Sequence, residues 1–342
     1  MSSALFLTAL GGLVLASYPS YQTLQILYGY WGFTSVFLFW GAMIKATRLW
    51  GGDNNQGKAF GFLDGGRGIV AASMGSIGVF VFTIVLTNDI ESASVLERQE
   101  AFRYVILLSS FMVAFIGLLV LIFLRNMEDK NTNFELPLNT LTNIKGVLKN
   151  ESIWLLMLII MCAYVGYKVT DIYSLYASEV MLYDQIEAAE VGALQLYLRP
   201  IVCIAIGLLA DRTKNMFWII FGFVTMLIGA LIFSFGIIKP DMNFIFFLSL
   251  VILAVGTYSI RALYFAVLKE ANVAFALTGT AVGIISVVGY SPDIFAGPIM
   301  GYLLDENPGI IGHQYVYFML VIFSIIGLIA SIRFARLTKT SG

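Results

Sequence analysis

The stretch GKAFGFLDGGRGIVAASMG, residues 57–75, decides which kind of helix this chain builds. It opens a long apolar segment, yet it carries glycines, an aspartate and an arginine. Small residues recur there at steps of four and three, which places them on one helix face: Gly61, Gly65, Gly68, Ala72 and Gly75. A smooth stripe of this kind predicts a membrane helix that packs closely against a neighbour.

Asp64 and Arg67 lie one position before two of these glycines, about 100° around the same helix. Two interpretations are open. The two side chains, three residues apart, neutralise each other as a buried pair. Alternatively, they face a polar pathway inside the bundle.

The composition indicates an integral membrane protein: 59% of residues are apolar, 12% are charged and the mean hydropathy is +0.87. A net charge of −1 provides no basic surface for nucleic acid. The single histidine, His313, supplies no metal or catalytic constellation, so no metal and no cofactor are expected. Cys162 and Cys203 fall within apolar runs and are interpreted as small buried hydrophobic residues.

Runs of roughly 20 apolar residues are long enough to cross the hydrocarbon core as helices. The predicted fold is therefore an all-α, polytopic helical bundle with about ten transmembrane helices. The predicted spans are 3–19, 22–45, 57–87, 101–125, 152–180, 188–210, 215–238, 243–267, 275–303 and 314–335.

Successive loops are alternately rich and poor in lysine and arginine, and this pattern predicts the orientation of the chain in the membrane. One set of loops and ends carries thirteen of these bases, including Arg48, and the other set carries three. The base-rich side is expected to be cytoplasmic, with both termini on it. The protein is therefore predicted to be multi-pass, with the lipid bilayer as its surroundings.

Seven charged residues lie within the spans: Asp64, Arg67, Lys168, Asp171, Arg199, Arg261 and Asp293. If all of them faced lipid, the cost would be on the order of 20 kcal/mol. They are therefore expected to face one another or a wet cavity. The candidate substrate-binding residues are these bases and two tyrosines near them: Arg67, Lys168, Arg199, Arg261, Tyr164 and Tyr258. Arg261 lies close to the end of its span, so snorkelling to the surface is an alternative for it.

The three acids in the spans, Asp64, Asp171 and Asp293, are candidates for coupling or gating. Asp293 follows Pro292 in a glycine-rich span that also contains Pro298, which predicts a kinked helix. A polar bend at the membrane surface is the alternative role for Asp293.

The segment GLLADRTKN, residues 207–215, resembles the G-x-L-A-D-R loop of the major facilitator superfamily. The resemblance implies a conformational latch formed by Gly207, Asp211 and Arg212 on the cytoplasmic face. It also implies that the fifth, seventh, eighth, tenth and eleventh family helices, which would hold Arg67, Lys168, Arg199, Arg261 and Asp293, contribute to a central cavity. The stretch at 57–75 is similar to a bacterial sugar-phosphate-permease-like group, which implies location in the bacterial cytoplasmic membrane.

Four spans precede the longest polar segment and six follow it, whereas the family pattern has six and six. The predicted domains are an incomplete N-terminal bundle (1–125), a cytoplasmic central loop (126–151) and a C-terminal six-helix bundle (152–342). By this comparison the chain begins at the family's third helix, so the first two family helices are expected to be missing.

The predicted function is secondary active transport of a small polar solute by alternating access. Four bases against three acids favour an organic anion such as a sugar phosphate or carboxylate, while a neutral sugar or amphiphilic drug stays open. A proton or a counter-anion is the expected co-transported or exchanged species, and the protein is expected to be monomeric. A transporter-like sensor, or a degenerate carrier that does not transport, is the alternative. Catalytic motifs such as G-x-S-x-G and H-E-x-x-H are absent from the sequence, so no enzyme is predicted.

Overall fold

The computed structural model describes residues 1–85, 94–124 and 140–339, and their regular secondary structure is helical. The α-helices are α1 Ser2–Leu15, α2 Tyr21–Gly32, α3 Gly41–Gly51, α4 Gln56–Val85, α5 Val95–Phe123, α6 Thr140–Leu148, α7 Glu151–Val169, α8 Tyr173–Glu179, α9 Gln185–Asp211, α10 Asn215–Ser234, α11 Asn243–Leu263, α12 Thr278–Gly289, α13 Pro292–Glu306 and α14 Ile310–Lys339. A π-helical segment, Phe33–Trp40, joins α2 to α3, and a 3₁₀ turn, Thr170–Ile172, joins α7 to α8.

Eight of the helical stretches among the described residues are long and apolar enough to cross a membrane. They are Gln56–Val85, Val95–Phe123, Glu151–Glu179, Gln185–Asp211, Asn215–Ser234, Asn243–Leu263, Thr278–Glu306 and Ile310–Thr338. The shorter apolar helix α1 and the continuous helical run from α2 to α3 account for the first two predicted spans. The predicted all-α membrane fold with about ten helices is confirmed.

The chain divides into two compact units. The first comprises residues 1–46 and 70–138. In it, α1 packs along α5 and against the helical segment that follows α2. The indole Nε1 of Trp31 donates to the carbonyl of Thr8 at 2.9 Å, and the hydroxyl of Thr8 donates to that of Thr34 at 2.9 Å. These bonds give partly buried polar groups partners inside an apolar bundle, as a membrane protein requires.

The second unit comprises residues 47–69 and 139–342, so the first half of α4 belongs with the helices from α6 onward. Its core is formed by α7, α10, α11 and α14, with α9 packed on α11. Aromatic side chains fill its centre: the rings of Phe233 and Tyr317 stack at a centroid distance of 4.4 Å.

The predicted kink in the ninth span is confirmed. Helix α12 ends at Gly289, and α13 begins at Pro292. Residues 290 and 291 separate the two helices, and because proline has no N–H to donate, the helical hydrogen-bond ladder is interrupted at this point.

The predicted central loop, 126–151, lies largely outside the described residues. Its described part contains α6, and Asn150 then caps α7 by accepting from the backbone N–H of Ser152 at 3.0 Å. The predicted division of the chain at this loop stays a prediction.

Candidate functional site

The glycine face at the start of α4 docks on α9. A Cβ placed on Gly61 would lie 2.6 Å from the carbonyl oxygen of Cys203 and 2.9 Å from Cα of Gly207. Only glycine permits so close an approach, which is the packing that the stripe predicts. Gly75, at the far end of the predicted stripe, has no such neighbour within 4 Å. The close approach brings Asp64 against α9.

Asp64 and Arg199 form a buried ion pair. Arg199 donates from Nη2 to Oδ1 at 2.9 Å and from Nε to Oδ2 at 3.3 Å. The side chains are 6% and 10% exposed, respectively. A guanidinium that meets both carboxylate oxygens is held in one orientation, because its donors form a rigid fork.

Arg261, on α11, completes the arrangement, with Nη2 3.7 Å from Asp64 Oδ1. Its guanidinium lies over the ring of Tyr167 at 3.8 Å and over that of Tyr164 at 5.5 Å. The side chain is 3% exposed, so the snorkelling interpretation is wrong. Within the described part of the chain, its Nε and Nη1 have no hydrogen-bond partner.

Arg67 stands at the rim of this cluster. Its Nη1 lies 3.3 Å from Asp64 Oδ1, and its side chain is 40% exposed. Asp64 and Arg67 do form the ion pair that their spacing allows. The pair is not closed, because the carboxylate also meets Arg199 and Arg261 from two other helices.

Cys203 is a member of the cluster that sequence reasoning missed. Its Sγ donates to Asp64 Oδ2 at 3.4 Å, whereas the apolar context suggested an inert residue. One signal was available: Cys203 follows Arg199 by four residues, so the two share a helix face. Tyr167 was also left out of the candidate set, although it sits under Arg261.

Lys168, Asp171 and Asp293 form a second cluster. Lys168 Nζ lies 3.0 Å from Asp171 Oδ2 and 3.8 Å from Asp293 Oδ1. The hydroxyl of Tyr164 donates to Asp293 Oδ2 at 3.1 Å. The two carboxylates are about half exposed, with 52% and 54% of their side-chain surface open. The structure therefore separates the predicted site residues into a buried basic cluster and an open acidic one, joined by Tyr164.

Tyr258, predicted as a substrate-binding residue, lies behind the basic cluster. It is 1% exposed, and its hydroxyl donates to Oε1 of Gln195 at 3.4 Å. Its main-chain carbonyl faces the thiol of Cys203 at 3.7 Å. Tyr258 therefore forms part of the wall behind the basic cluster.

Asp211, in the GLLADR segment, caps the helix that carries Asp64. Its Oδ1 accepts from the N–H of Gly57 at 2.7 Å, and its Oδ2 accepts from that of Lys58 at 2.8 Å. A carboxylate at this end of a helix satisfies free N–H groups and interacts favourably with the helix dipole. Gly207 of the same segment lies against Gly61, while Arg212 is exposed.

The loop between α11 and α12 is fastened near the same end of α4. Arg48, counted from sequence as a loop base, is buried and donates to Thr278 Oγ1 at 2.7 Å and to the carbonyl of Val273 at 2.8 Å. Lys269 meets Asp53 at 2.5 Å, and this lysine holds the pKa of Asp53 below its usual value. Arg48 forms these bonds because α3 continues past the predicted span to Gly51.

No group of histidine, cysteine, aspartate and glutamate side chains among the described residues has the arrangement of a metal site. The site chemistry is that of guanidinium, carboxylate, ammonium and phenol groups. Such groups bind ions and polar solutes by charge and hydrogen bonding.

The model of one protein family, the Major Facilitator Superfamily, matches residues 1–292. The chain belongs to the Major Facilitator Superfamily. This is a superfamily of transporters, which is the class that the sequence predicts over an enzyme.

Two relatives of this superfamily member are proteins of Escherichia coli (strain K12). Inner membrane protein YihN is 25% identical over 98% of this chain and 79% of its own length. Inner membrane protein YqcE is 25% identical over 93% of this chain and 74% of its own length.

Solved structures of other transporters share the superfamily fold. The crystal structure of FucP, a Major Facilitator Superfamily transporter, in the outward conformation has a TM-score of 0.72 and 15% identity, covering 97% of this chain and 82% of FucP. A bacterial homologue of the iron transporter ferroportin, in an outward-facing state, has a TM-score of 0.66 and 13% identity, covering 98% and 82%. These similarities concern the fold alone.

Proposed function

We propose that this protein is a secondary active transporter that moves a small organic anion, such as a sugar phosphate or a carboxylate, across the bacterial cytoplasmic membrane by alternating access. The observation that carries the proposal is Arg261, a buried guanidinium with two donors, Nε and Nη1, that have no partner in the described part of the chain.

Unpaired buried donors are costly, typically about 1–3 kcal/mol and more on a charged group. A carboxylate or phosphate oxygen placed beside Arg261 would remove that cost and gain charge-assisted bonds. The local charge supports the same ligand, because three guanidinium groups surround the single carboxylate of Asp64. We therefore assign Arg67, Arg199 and Arg261 to binding the anionic group, with Lys168, Tyr164 and Tyr258 as further members of the binding wall.

Asp211 supports a mechanism of gating. It holds the N-terminal end of α4, and α4 also carries Asp64 two turns further along. Release of this cap would let α4 move relative to α9. The position of the Asp64 carboxylate relative to the surrounding arginines would then change. We assign Gly207, Asp211 and Arg212 to this latch. Asp64, Asp171 and Asp293 are the proposed coupling or gating acids, with a proton or a counter-anion as the second species.

The location is supported by relatives that are named as inner membrane proteins and by the eight long apolar helices. Cytoplasmic termini follow from the distribution of lysine and arginine. The monomeric state, the sugar-phosphate-permease-like subgroup and the absence of two family helices stay predictions.

The proposal is tested with the purified chain in proteoliposomes preloaded with an unlabelled anion, by uptake of the labelled form of that anion. Glucose 6-phosphate and gluconate are suitable probes. Arg261→Gln is expected to abolish saturable uptake, and Arg261→Lys to reduce it, whereas Lys239→Gln, at an exposed base outside the site, serves as the matched control. Uptake that is unchanged in Arg261→Gln would overturn the proposal. Binding without uptake would favour the sensor alternative.

A further inference from the structure

The proposed site has two ends of opposite net charge. At the basic end, the buried Arg199 and Arg261, together with Arg67 at the rim, outnumber the carboxylate of Asp64 by two charges. At the open end, Asp171 and Asp293 outnumber Lys168 by one charge. The two clusters lie in the same compact unit of the chain.

Tyr164 joins the two ends. Its ring lies 5.5 Å from the guanidinium carbon of Arg261, and its hydroxyl donates to Asp293 at 3.1 Å. The rings of Tyr167 and Tyr290 lie 5.5 Å and 4.9 Å from that of Tyr164. A ligand that reaches Asp293 from the Arg261 donors that have no partner among the described residues would therefore cross a surface of tyrosine rings.

Side-chain exposure increases from Arg261 through Lys168 to Asp293. Arg261 is 3% exposed, Lys168 is 24% exposed, and the side chain of Asp293 is 54% exposed. The anionic group of a ligand is therefore expected to lie deep, and its other end is expected to lie toward the opening.

We infer that the transported anion is bipolar: one end is a carboxylate or phosphate held by Arg261 and Arg199, and the other end donates hydrogen bonds, through hydroxyl or ammonium groups, to Asp171 and Asp293. This inference rests on the proposed function. The half-exposed carboxylates accept hydrogen bonds but have no donor for a second anionic group, and their negative charge repels such a group. An anion with an apolar tail forms no hydrogen bond with the carboxylate oxygens of Asp171 and Asp293, which stay hydrated and add nothing to its affinity.

Four six-carbon probes separate these chemistries. Hexanoate has an apolar tail, adipate has a second carboxylate, 6-aminohexanoate has an ammonium group, and gluconate has hydroxyls. Binding of each to the purified full chain in nanodiscs is measured by isothermal titration calorimetry at neutral pH. We expect gluconate or 6-aminohexanoate to bind about tenfold more tightly than hexanoate, the gain of one charge-assisted hydrogen bond, and adipate to bind most weakly. Preference for gluconate identifies hydroxyls as the tail donors, and preference for 6-aminohexanoate identifies an ammonium group.

Asp293→Asn provides the second arm of the experiment. It is expected to bring the ratio of the affinities for the donor-bearing probe and for hexanoate close to one. Asp305→Asn, an exposed aspartate on the same helix, is the matched control and is expected to keep the preference.

The outcomes distinguish this inference from the function on which it rests. Equal binding of the four probes, tighter binding of adipate, or a preference that survives Asp293→Asn would overturn the bipolar ligand while leaving anion transport in place. Failure of all four probes and of inorganic phosphate to bind would overturn both.

Discussion

Asp64 on α4 and Arg199 on α9 are joined by two hydrogen bonds, of 2.9 Å and 3.3 Å, in a region where neither side chain is more than 10% exposed. The two residues are 135 positions apart in the chain. The bonds hold together two helices that already touch through glycines, so packing and charge act on the same contact.

Asp64→Asn is expected to destabilise the protein by about 3–5 kcal/mol, because it leaves buried guanidinium groups without their carboxylate. The measurement is thermal unfolding of the purified protein in detergent. The double variant Asp64→Asn/Arg199→Gln removes one of those charges and should recover part of the loss. A double variant no more stable than the single one would argue against a charge origin of the effect.

Arg261→Lys is expected to weaken anion binding by about tenfold or more. Lysine keeps the positive charge but loses the planar fork and the stacking on Tyr167. The affinity for gluconate, measured by calorimetry, tests this prediction, with Lys239→Gln as the control. Equal affinity in Arg261→Lys and the wild type would show that a point charge suffices.

Gly61→Ala is expected to destabilise the chain by about 1–3 kcal/mol, the usual cost of overpacking. The added methyl would lie 2.6 Å from the carbonyl oxygen of Cys203, and a backbone atom cannot move aside cheaply. Gly66→Ala on the same helix meets nothing within 4 Å and is the matched control. Because alanine favours helix over glycine, Gly66→Ala should be neutral or stabilising. Equal melting temperatures for the two variants would contradict the prediction.

Glu270 is expected to make the stability of the folded protein depend on pH. It lies outside the membrane spans, and burial raises its pKa above the ordinary value of 4.5, although Asn215 donates to its carboxylate at 3.3 Å. The folded state therefore favours the protonated carboxyl of Glu270. Its contribution to the free energy of unfolding is complete below pH 4.5 and is lost as pH rises through the raised pKa.

Glu270→Gln keeps an acceptor for Asn215 and removes the charge. It should raise the melting temperature at pH 7.5 and have little effect at pH 4.5. Glu306→Gln, at an exposed glutamate, is the control for removal of a charge. If the melting temperatures of Glu270→Gln and the wild type differ by the same amount at both pH values, ionisation of Glu270 does not cause the pH dependence.

The membrane fold was predictable because run length and hydropathy act locally along the chain. The docking face of α4 was predictable for the same reason, since glycine spacing defines a helix face without reference to its partner. Arg199 was identified as a site candidate because a base near the middle of a span must find a partner.

The partners themselves were not predictable. Spacing within α4 suggested Arg67 as the partner of Asp64, and the structure adds Arg199 and Arg261 from other helices. Which helices meet depends on packing between residues far apart in sequence. The burial of Arg48 was missed for a similar reason: its acceptors, Val273 and Thr278, lie more than 200 positions away.

The contact between Cys203 and Asp64 means that chemical labelling of the Cys203 thiol can report conformational opening of the basic cluster. Cys203 is 0% exposed, and its sulfur lies 3.4 Å from the carboxylate at the centre of the basic cluster. A thiol-alkylating reagent can reach that sulfur only while the surrounding helices are parted. The rate of labelling therefore counts how often this region opens, and the only other cysteine, Cys162, is also buried and can be replaced by alanine to leave a single reporter.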